Sequence, residues 1–216
     1  IVLLSGGLDS CVCLAEAARD RDLAVLHVNY GQRTEQRELS AFHAVADHYH
    51  VGERLVADIS YLERIGGSSL IDTAVSVETG LPNEGVVPST YVPFRNAHIL
   101  EVGVSWAEVI GARELWIGAV AEDGSGYPDC TAEFYEAFGA AVAAGTKPDT
   151  SIVIRTPLLT LDKEKIVRRG HELAAPLHLT WSCYVDGEAA CGACESCQLR
   201  LRGFERAGFE DPITYR

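Results

Sequence analysis

Short apolar runs typical of β-strands alternate with helical patterns along most of the chain. The runs that predict strands are residues 1–4, 23–29, 53–59, 114–120 and 151–158. Between and after them, apolar residues recur every three to four positions, which predicts helices over 9–20, 33–50, 95–112, 131–145 and 162–174. Strands that alternate with helices pair in parallel through right-handed crossovers, so we expect a doubly wound α/β sheet.

Two stretches interrupt this alternation. Residues 59–92 are rich in Gly, Ser, Thr and Pro and show no firm period, which is typical of a lid, a binding loop or an oligomer contact. The tail over 181–216 carries a cluster of cysteines. We therefore predict an α/β domain over 1–180, with an irregular insertion at about 59–92, and a small C-terminal segment over 181–216 packed on it.

Length and composition are compatible with one well-buried domain and a small appendage, since the chain has 216 residues of which 47% are hydrophobic. No apolar run is long enough to span a bilayer, and nothing resembles a secretory signal. We therefore expect a cytoplasmic protein without a membrane partner. Ile1 already lies in a predicted strand and the chain has no Met, so we expect a few residues to precede it.

The charge balance favours a small-molecule partner. The net charge is −13, from 18 basic and 31 acidic side chains. A nucleic acid is bound mainly by neutralising its phosphates with Lys and Arg, so this balance argues against a nucleic-acid partner. The one basic cluster that stands out in the sequence is modest and consists of Arg200, Arg202 and Arg206.

The cysteine spacing predicts a metal site. Seven cysteines, an odd number with four packed into one stretch, do not resemble a disulfide framework. The four form C-x7-C-x2-C-x2-C and are Cys183, Cys191, Cys194 and Cys197. Four thiolates are typical of a closed, structural Zn²⁺ site, and an iron–sulfur cluster is the alternative. We expect the other three, Cys11, Cys13 and Cys130, to be buried structural thiols.

The first strand runs directly into SGGLDS, residues 5–10. This is not the GxxxxGK[ST] loop of nucleotide hydrolases. A strand, a tight turn and a helix N-terminus nevertheless aim several N–H groups at one point, where an anion such as phosphate binds. The hydroxyls of Ser5 and Ser10 can donate to phosphate oxygens, and Asp9 can hold Mg²⁺ or order the loop. The alternative is a capped turn that binds nothing.

This loop resembles the pyrophosphatase-loop signature of the adenine-nucleotide α-hydrolase superfamily, whose members use ATP to adenylate a carbonyl oxygen and release pyrophosphate. Further motifs follow along the chain: NYGQR (29–33), TYVPFRN (90–96), SGYPDC (125–130), TWSCY (180–184), CGACESCQLRLRGF (191–204) and DPITY (211–215). In this order they resemble the 7-cyano-7-deazaguanine synthase family of queuosine precursor biosynthesis. The resemblance covers essentially the whole chain and is weakest over 60–87.

The resemblance implies a Rossmann-like sheet of the adenine-nucleotide α-hydrolase type and an ATP-dependent ligase. Its substrates would be 7-carboxy-7-deazaguanine and ammonia, and its product would be the nitrile, formed through an adenylated acid and an adenylated amide. The implied cofactors are ATP, Mg²⁺ and Zn²⁺, and we expect a homodimer. Competing hypotheses are a related adenylating ligase for another deazapurine-like acid, a tRNA-modifying enzyme of the same superfamily, and a zinc-containing binding module without catalysis.

The resemblance also implies site residues. The nucleotide-binding set is Leu4, Ser5, Gly6, Gly7, Leu8, Asp9, Ser10, Tyr30, Gln32 and Arg33. The catalytic set is Ser5, Asp9, Ser10, Arg95 and Lys163. The substrate-binding set is Arg95, Asp123, Tyr127, Asp129 and Glu133.

Among the substrate residues, Asp129 is the first candidate to accept the N1–H and the exocyclic amine of the guanine-like edge. Each role has a plainer alternative: Asp129 caps a helix that begins near Thr131, Arg33 pairs with Glu35, and Lys163 is a solvated helix charge. The motif also departs from the family, which usually has an aromatic residue in place of Gly124 and an arginine in place of Thr131. If either position contacts the substrate, the substrate differs or another side chain compensates.

Overall fold

Five parallel strands form one sheet in the computed structural model, which describes residues 1–80, 86–120 and 126–216. The strands are β1 Val2–Leu3, β2 Ala24–Asn29, β3 Glu53–Asp58, β4 Glu114–Ile117 and β5 Val153–Arg155. Their order across the sheet is β3-β2-β1-β4-β5, and each neighbouring pair is parallel. The predicted doubly wound sheet is confirmed.

Seven α-helices lie within the described ranges. They are α1 Leu8–Ala17, α2 Glu35–His48, α3 Tyr61–Ile65, α4 Arg95–Ile110, α5 Ala132–Gly145, α6 Lys163–Glu172 and α7 Glu195–Ala207. Two 3₁₀ turns occupy Pro128–Cys130 and Leu177–Leu179. The sequence predicts α1, α2, α4, α5 and α6 to within a few residues at each end, but it does not predict α3 or α7.

Two hydrophobic clusters cover the two faces of the sheet. Along β1, Val2 packs into the cluster that contains the buried sides of α1, α2, α6 and α7. The next residue, Leu3, packs into the cluster that contains α4 and α5. This alternation follows from the two-residue period of a strand, and it places helices on both faces.

Three cysteines lie in these clusters as expected. Cys11 and Cys13 are fully buried on α1, and Cys130 is buried beside α4. Burial raises the pKa of Cys11 to about 12 and the pKa of Cys130 to about 11, so both stay protonated at neutral pH.

The order of the strands reverses at β1, whose neighbours β2 and β4 lead to opposite edges of the sheet. In open α/β sheets the crevice beyond the carboxyl ends of the strands at such a reversal is the usual ligand site. Gly118, directly after β4, lies so close to α1 that a Cβ there would be 2.8 Å from the carbonyl oxygen of Asp9. A glycine is therefore needed to bring the end of β4 against the start of α1.

The insertion at 59–92 is held by Arg33. Its Nε donates to the carbonyl oxygen of Ser69 at 2.7 Å, and its Nη2 donates to the carbonyl oxygens of Asp72 and Val75. The insertion also contacts the C-terminal segment through an antiparallel bridge between Thr79 and Cys194. The described part of this stretch contains one short helix, α3, and otherwise consists of turns, bends and an isolated bridge.

The C-terminal segment packs against the first loop, since the N–H of Trp181 donates to the carbonyl oxygen of Gly6 at 2.9 Å. Arg200 on α7 is 1% exposed and paired with Asp211, so the basic cluster suggested by the sequence is not a continuous surface groove. None of the helices in the described ranges combines the length and the apolar character that crossing a bilayer requires.

Candidate active site

The predicted phosphate loop joins the end of β1 to the start of α1. Gly6 has a φ of +90°, and a Cβ at this position would lie 2.6 Å from the carbonyl oxygen of Glu38. The hydroxyl of Ser5 accepts the N–H of Gly7 at 3.2 Å and lies 3.1 Å from the hydroxyl of Ser10. The loop is therefore ordered by its own side chains, and Gly7 directly precedes the first turn of α1.

Lys163, the first residue of α6, reaches across to this loop. Its Nζ donates to both carboxylate oxygens of Asp9 at 2.9 Å, and its side chain is only 12% exposed. The alternative that Lys163 is a solvated helix charge is therefore wrong. Lys163 and Asp9 form a partly buried ion pair at the start of α1.

A cavity of about 300 Å³ opens beside this pair, at the carboxyl ends of β1, β2 and β4 and under the C-terminal segment. Ten of the predicted site residues line it: Leu4, Ser5, Gly7, Leu8, Asp9, Ser10, Tyr30, Arg95, Tyr127 and Lys163. Five others, Gly6, Gln32, Arg33, Asp129 and Glu133, are not among its lining residues. Asp123 lies outside the described residues.

Arg95 and Tyr30 form one wall of the cavity. The Nη1 of Arg95 donates to the Tyr30 hydroxyl at 3.0 Å, and the guanidinium lies 4.9 Å from the centre of the Tyr30 ring. Burial by itself lowers the pKa of Arg95, but the surrounding tyrosines raise it above its ordinary value. Arg95 therefore keeps its positive charge inside the cavity.

Glu38 is a cavity residue that the sequence analysis missed. Its carboxylate accepts hydrogen bonds from the Thr34 hydroxyl at 2.6 Å and from the Gln32 side-chain amide at 3.2 Å. Gln32, predicted to bind nucleotide, also accepts the N–H of Tyr30 at 2.8 Å. Gln32 therefore holds the backbone of Tyr30 in place without lining the cavity itself. Burial raises the pKa of Glu38 to about 7, against the opposing effects of Thr34 and Arg95.

Asp129 lies beside the start of α4. It is 3% exposed, and its Oδ2 accepts the N–H of Asn96 at 2.9 Å. The alternative that Asp129 caps the helix near Thr131 is wrong. Thr131 caps that helix, α5, itself by accepting the N–H of Phe134. Asp129 instead stabilises the helix that carries Arg95, and Glu133 lies exposed on α5.

Glu195 is a second carboxylate that the sequence analysis missed, and it also lines the cavity. It is 5% exposed, and its Oε2 accepts a hydrogen bond from the Thr90 hydroxyl at 3.1 Å. The same hydroxyl lies 2.8 Å from the hydroxyl of Tyr127, a predicted substrate residue. The only signal for Glu195 in the sequence is its place inside the CESC motif.

The predicted cysteine ligands lie together. The sulfur atoms of Cys183, Cys191, Cys194 and Cys197 are all within 4.8 Å of one another. Main-chain N–H groups donate to the sulfur of Cys183 from two sides and to the sulfur of Cys191 from two more. Such donors stabilise thiolates around a metal, so this four-cysteine cluster fits a metal ion.

Comparison with known proteins identifies the family. The family model described as Queuosine biosynthesis protein QueC matches residues 1–208. The 7-cyano-7-deazaguanine synthase of Chlorobium phaeobacteroides strain DSM 266 is 58% identical over 217 residues, covering 100% of this chain and 96% of that protein. The protein of the same name from Chloroherpeton thalassium is 54% identical, with the same coverage.

Among solved structures, the chain is similar to the U34-tRNA thiolase NcsA from Methanococcus maripaludis with its 4Fe–4S cluster. The TM-score is 0.50 at 14% identity, and the match covers 94% of this chain and 61% of that one, so the likeness concerns the fold alone. The sequence matches are far closer. The chain belongs to the QueC family of queuosine biosynthesis proteins.

Proposed function

We propose that this protein is an ATP-dependent ligase that converts 7-carboxy-7-deazaguanine and ammonia into 7-cyano-7-deazaguanine. The observation that carries the proposal is one cavity that joins the SGGLDS loop and its Asp9–Lys163 pair to the charged wall formed by Arg95. The names of relatives that match the whole chain support the same reaction.

The chemistry requires activation of a poor leaving group. The substrate carboxylate attacks the α-phosphorus of ATP, pyrophosphate leaves, and ammonia then displaces AMP to give the amide and a proton. The amide oxygen attacks a second ATP in the same way. Loss of AMP and of both amide N–H protons from that adenylate forms the nitrile. Both rounds form the same kind of bond, so one phosphate loop serves both, chiefly by positioning and charge stabilisation.

Each side chain has a defined task in this scheme. N–H groups of the first turn of α1 beyond Leu8, whose own N–H donates to Ser182, bind phosphate oxygens together with the hydroxyls of Ser5 and Ser10. Lys163 and Arg95 neutralise charge on the phosphates and on the substrate carboxylate. We infer that Asp9 would hold Mg²⁺, which would supply further positive charge to the triphosphate when bound.

The remaining proposals concern the metal and the partners. We infer that the four-cysteine cluster holds Zn²⁺ in a structural role, because four sulfur ligands leave no open coordination position. We further infer a homodimer that acts on a small molecule and not on nucleic acid. The burial of Arg200 and the net charge of −13 support a partner other than nucleic acid.

The test is incubation of the zinc-loaded protein with ATP, ammonium and 7-carboxy-7-deazaguanine, followed by mass spectrometry. We expect the nitrile, with two AMP and two pyrophosphate formed per nitrile. Omission of ammonium should leave pyrophosphate release without displacement of AMP and without nitrile, and a gel shift with bulk tRNA should show no complex. Absence of pyrophosphate release with this acid would overturn the proposal.

A further inference from the structure

Three carboxylates line the cavity among the described residues, and they differ in how their oxygens are used. Both oxygens of Asp9 accept hydrogen bonds from Lys163. The two oxygens of Glu38 accept from Thr34 and Gln32. Glu195 is held by Thr90 through Oε2, and a carboxylate has about four acceptor positions. Glu195 is therefore the carboxylate in the cavity best placed to accept further donors.

The contacts of Thr90 show which hydroxyl groups donate and which accept in the hydrogen bonds that lead to Glu195. A threonine hydroxyl has a single proton, and since carboxylate oxygens only accept, Thr90 donates that proton to Glu195. The Tyr127 hydroxyl, 2.8 Å away, must then be the donor to Thr90. The resulting chain from Tyr127 through Thr90 to Glu195 joins the SGYPDC motif, the TYVPFRN motif and the cysteine segment at one point.

The surroundings of Glu195 suit a flat heterocycle. Tyr127 and Tyr184 line the same cavity, together with Leu199 from the next turn of α7. Aromatic and aliphatic walls around a few fixed polar groups are typical of sites that bind small ring systems. Burial also matters, because a carboxylate that is 5% exposed forms stronger hydrogen bonds than one in water.

We propose, on the basis of the proposed function, that Glu195 determines substrate specificity by accepting hydrogen bonds from the N1–H and the exocyclic amine of the deazaguanine ring. These are two adjacent donors on one edge, which a carboxylate accepts in pairs. Asp129, to which the sequence assigned this role, uses one oxygen to hold the start of α4 and does not line the cavity.

The backbone around Glu195 is constrained in a way that serves this role. It follows Cys194, the N-cap of α7, and lies two residues before Cys197. The bridge between Cys194 and Thr79 adds a second attachment. The cysteine segment therefore positions a specificity residue in the cavity in addition to forming part of the cavity wall.

The test compares two ligands in zinc-loaded protein by calorimetry: 7-carboxy-7-deazaguanine and the analogue that lacks the exocyclic amine. We expect the parent protein to prefer the first by about tenfold or more, since a charged hydrogen bond is lost with the analogue. Glu195→Gln should bind the first ligand about 10- to 100-fold more weakly and show little preference. Glu205→Gln, on an exposed part of the same helix, should keep the parent preference.

A second variant separates recognition from folding. Glu195→Asp keeps the charge but withdraws it by one methylene, so it should retain part of the preference. Zinc content and thermal unfolding are measured for each variant. A parent-like preference in Glu195→Gln, or an equal loss in both variants with zinc retained, would overturn the proposal. The proposed function fails separately, if the parent protein releases no pyrophosphate with this acid.

Discussion

Arg200 donates two hydrogen bonds to the carboxylate of Asp211, at 2.8 Å to Oδ2 and 2.9 Å to Oδ1, in a pair whose side chains are 2% and 5% exposed. The same guanidinium donates to the hydroxyls of Thr180 and Ser182. Ser182 in turn accepts the N–H of Leu8 at the start of α1. The buried pair therefore stabilises the end of the SGGLDS loop, where α1 begins.

Replacement of Arg200 by lysine should destabilise the protein by about 3–5 kcal/mol. A lysine cannot donate two parallel hydrogen bonds to one carboxylate, so it leaves Asp211 buried with too few donors. Urea unfolding of the zinc-loaded protein measures the change. Arg206→Lys, at an exposed position of the same helix, is the control and should stay within about 0.5 kcal/mol. A loss below about 1 kcal/mol in Arg200→Lys would contradict the assigned role.

Gly203 on α7 determines how closely α6 approaches. A Cβ at Gly203 would lie 2.5 Å from Cγ of Lys163 and 3.1 Å from its carbonyl oxygen. Gly203→Ala should therefore cost about 1–3 kcal/mol of stability through overpacking. It should also lower kcat/KM for pyrophosphate release by about tenfold or more, since displacement of Lys163 weakens charge stabilisation near Asp9.

Gly139→Ala is the matched control for this experiment. Gly139 also lies within a helix, α5, but a Cβ there would meet no atom within 4 Å. Alanine should therefore stabilise the protein by about 0.5–1 kcal/mol through its higher helix propensity, with activity unchanged. Equal effects of the two substitutions would show that the contact with Lys163 has no influence.

Local patterns in the sequence were enough to predict the sheet, five of the helices, the SGGLDS loop and the cysteine cluster. Each of these depends on residues close together in the chain. Helix α7 was missed although Cys197, Arg200, Gly203, Phe204 and Ala207 are buried at helical spacing. An arginine and a glycine in that series concealed its buried face, because neither is counted as apolar in a search for periodicity.

The contacts in the site that the sequence did not reveal join residues far apart in the chain. Thr90 and Glu195 are 105 positions apart, and Lys163 and Asp9 are 154 apart. Asp129 was assigned to the substrate from its motif, but its carboxylate meets the N–H of Asn96 only in the folded chain. Residue type indicates what a side chain can bind, whereas tertiary packing decides which partner it meets.

The cysteine cluster gives a prediction about metal content. We expect one Zn²⁺ per chain by elemental analysis, and no broad visible absorption of the kind that an iron–sulfur cluster produces. Removal of the metal by a chelator should lower the melting temperature, because metal binding and the folding of the segment are coupled. Cys197→Ser should lose the metal, whereas Cys130→Ser should keep it, since Cys130 lies outside the cluster. Iron in place of zinc would contradict the proposed metal.

Glu38 predicts a pH dependence of stability in the unliganded protein. Burial raises its pKa from 4.5 to about 7, so the folded state holds a proton that the unfolded state releases between these values. The contribution of Glu38 to the free energy of unfolding should therefore be most favourable below about pH 4.5, and should fall as the pH rises through 7. The full effect is up to about 3 kcal/mol.

Glu38→Gln removes this titration while keeping the shape of the side chain. The variant should gain stability relative to the parent as the pH rises from about 4.5 to about 7, and the difference should then level off. Urea unfolding at a series of pH values measures it. Glu53→Gln, which removes an exposed carboxylate on β3, should stay within about 0.5 kcal/mol of the parent at each pH. If the Glu38→Gln difference does not change with pH, the carboxylate titrates alike in both states, and desolvation in the cavity does not control it.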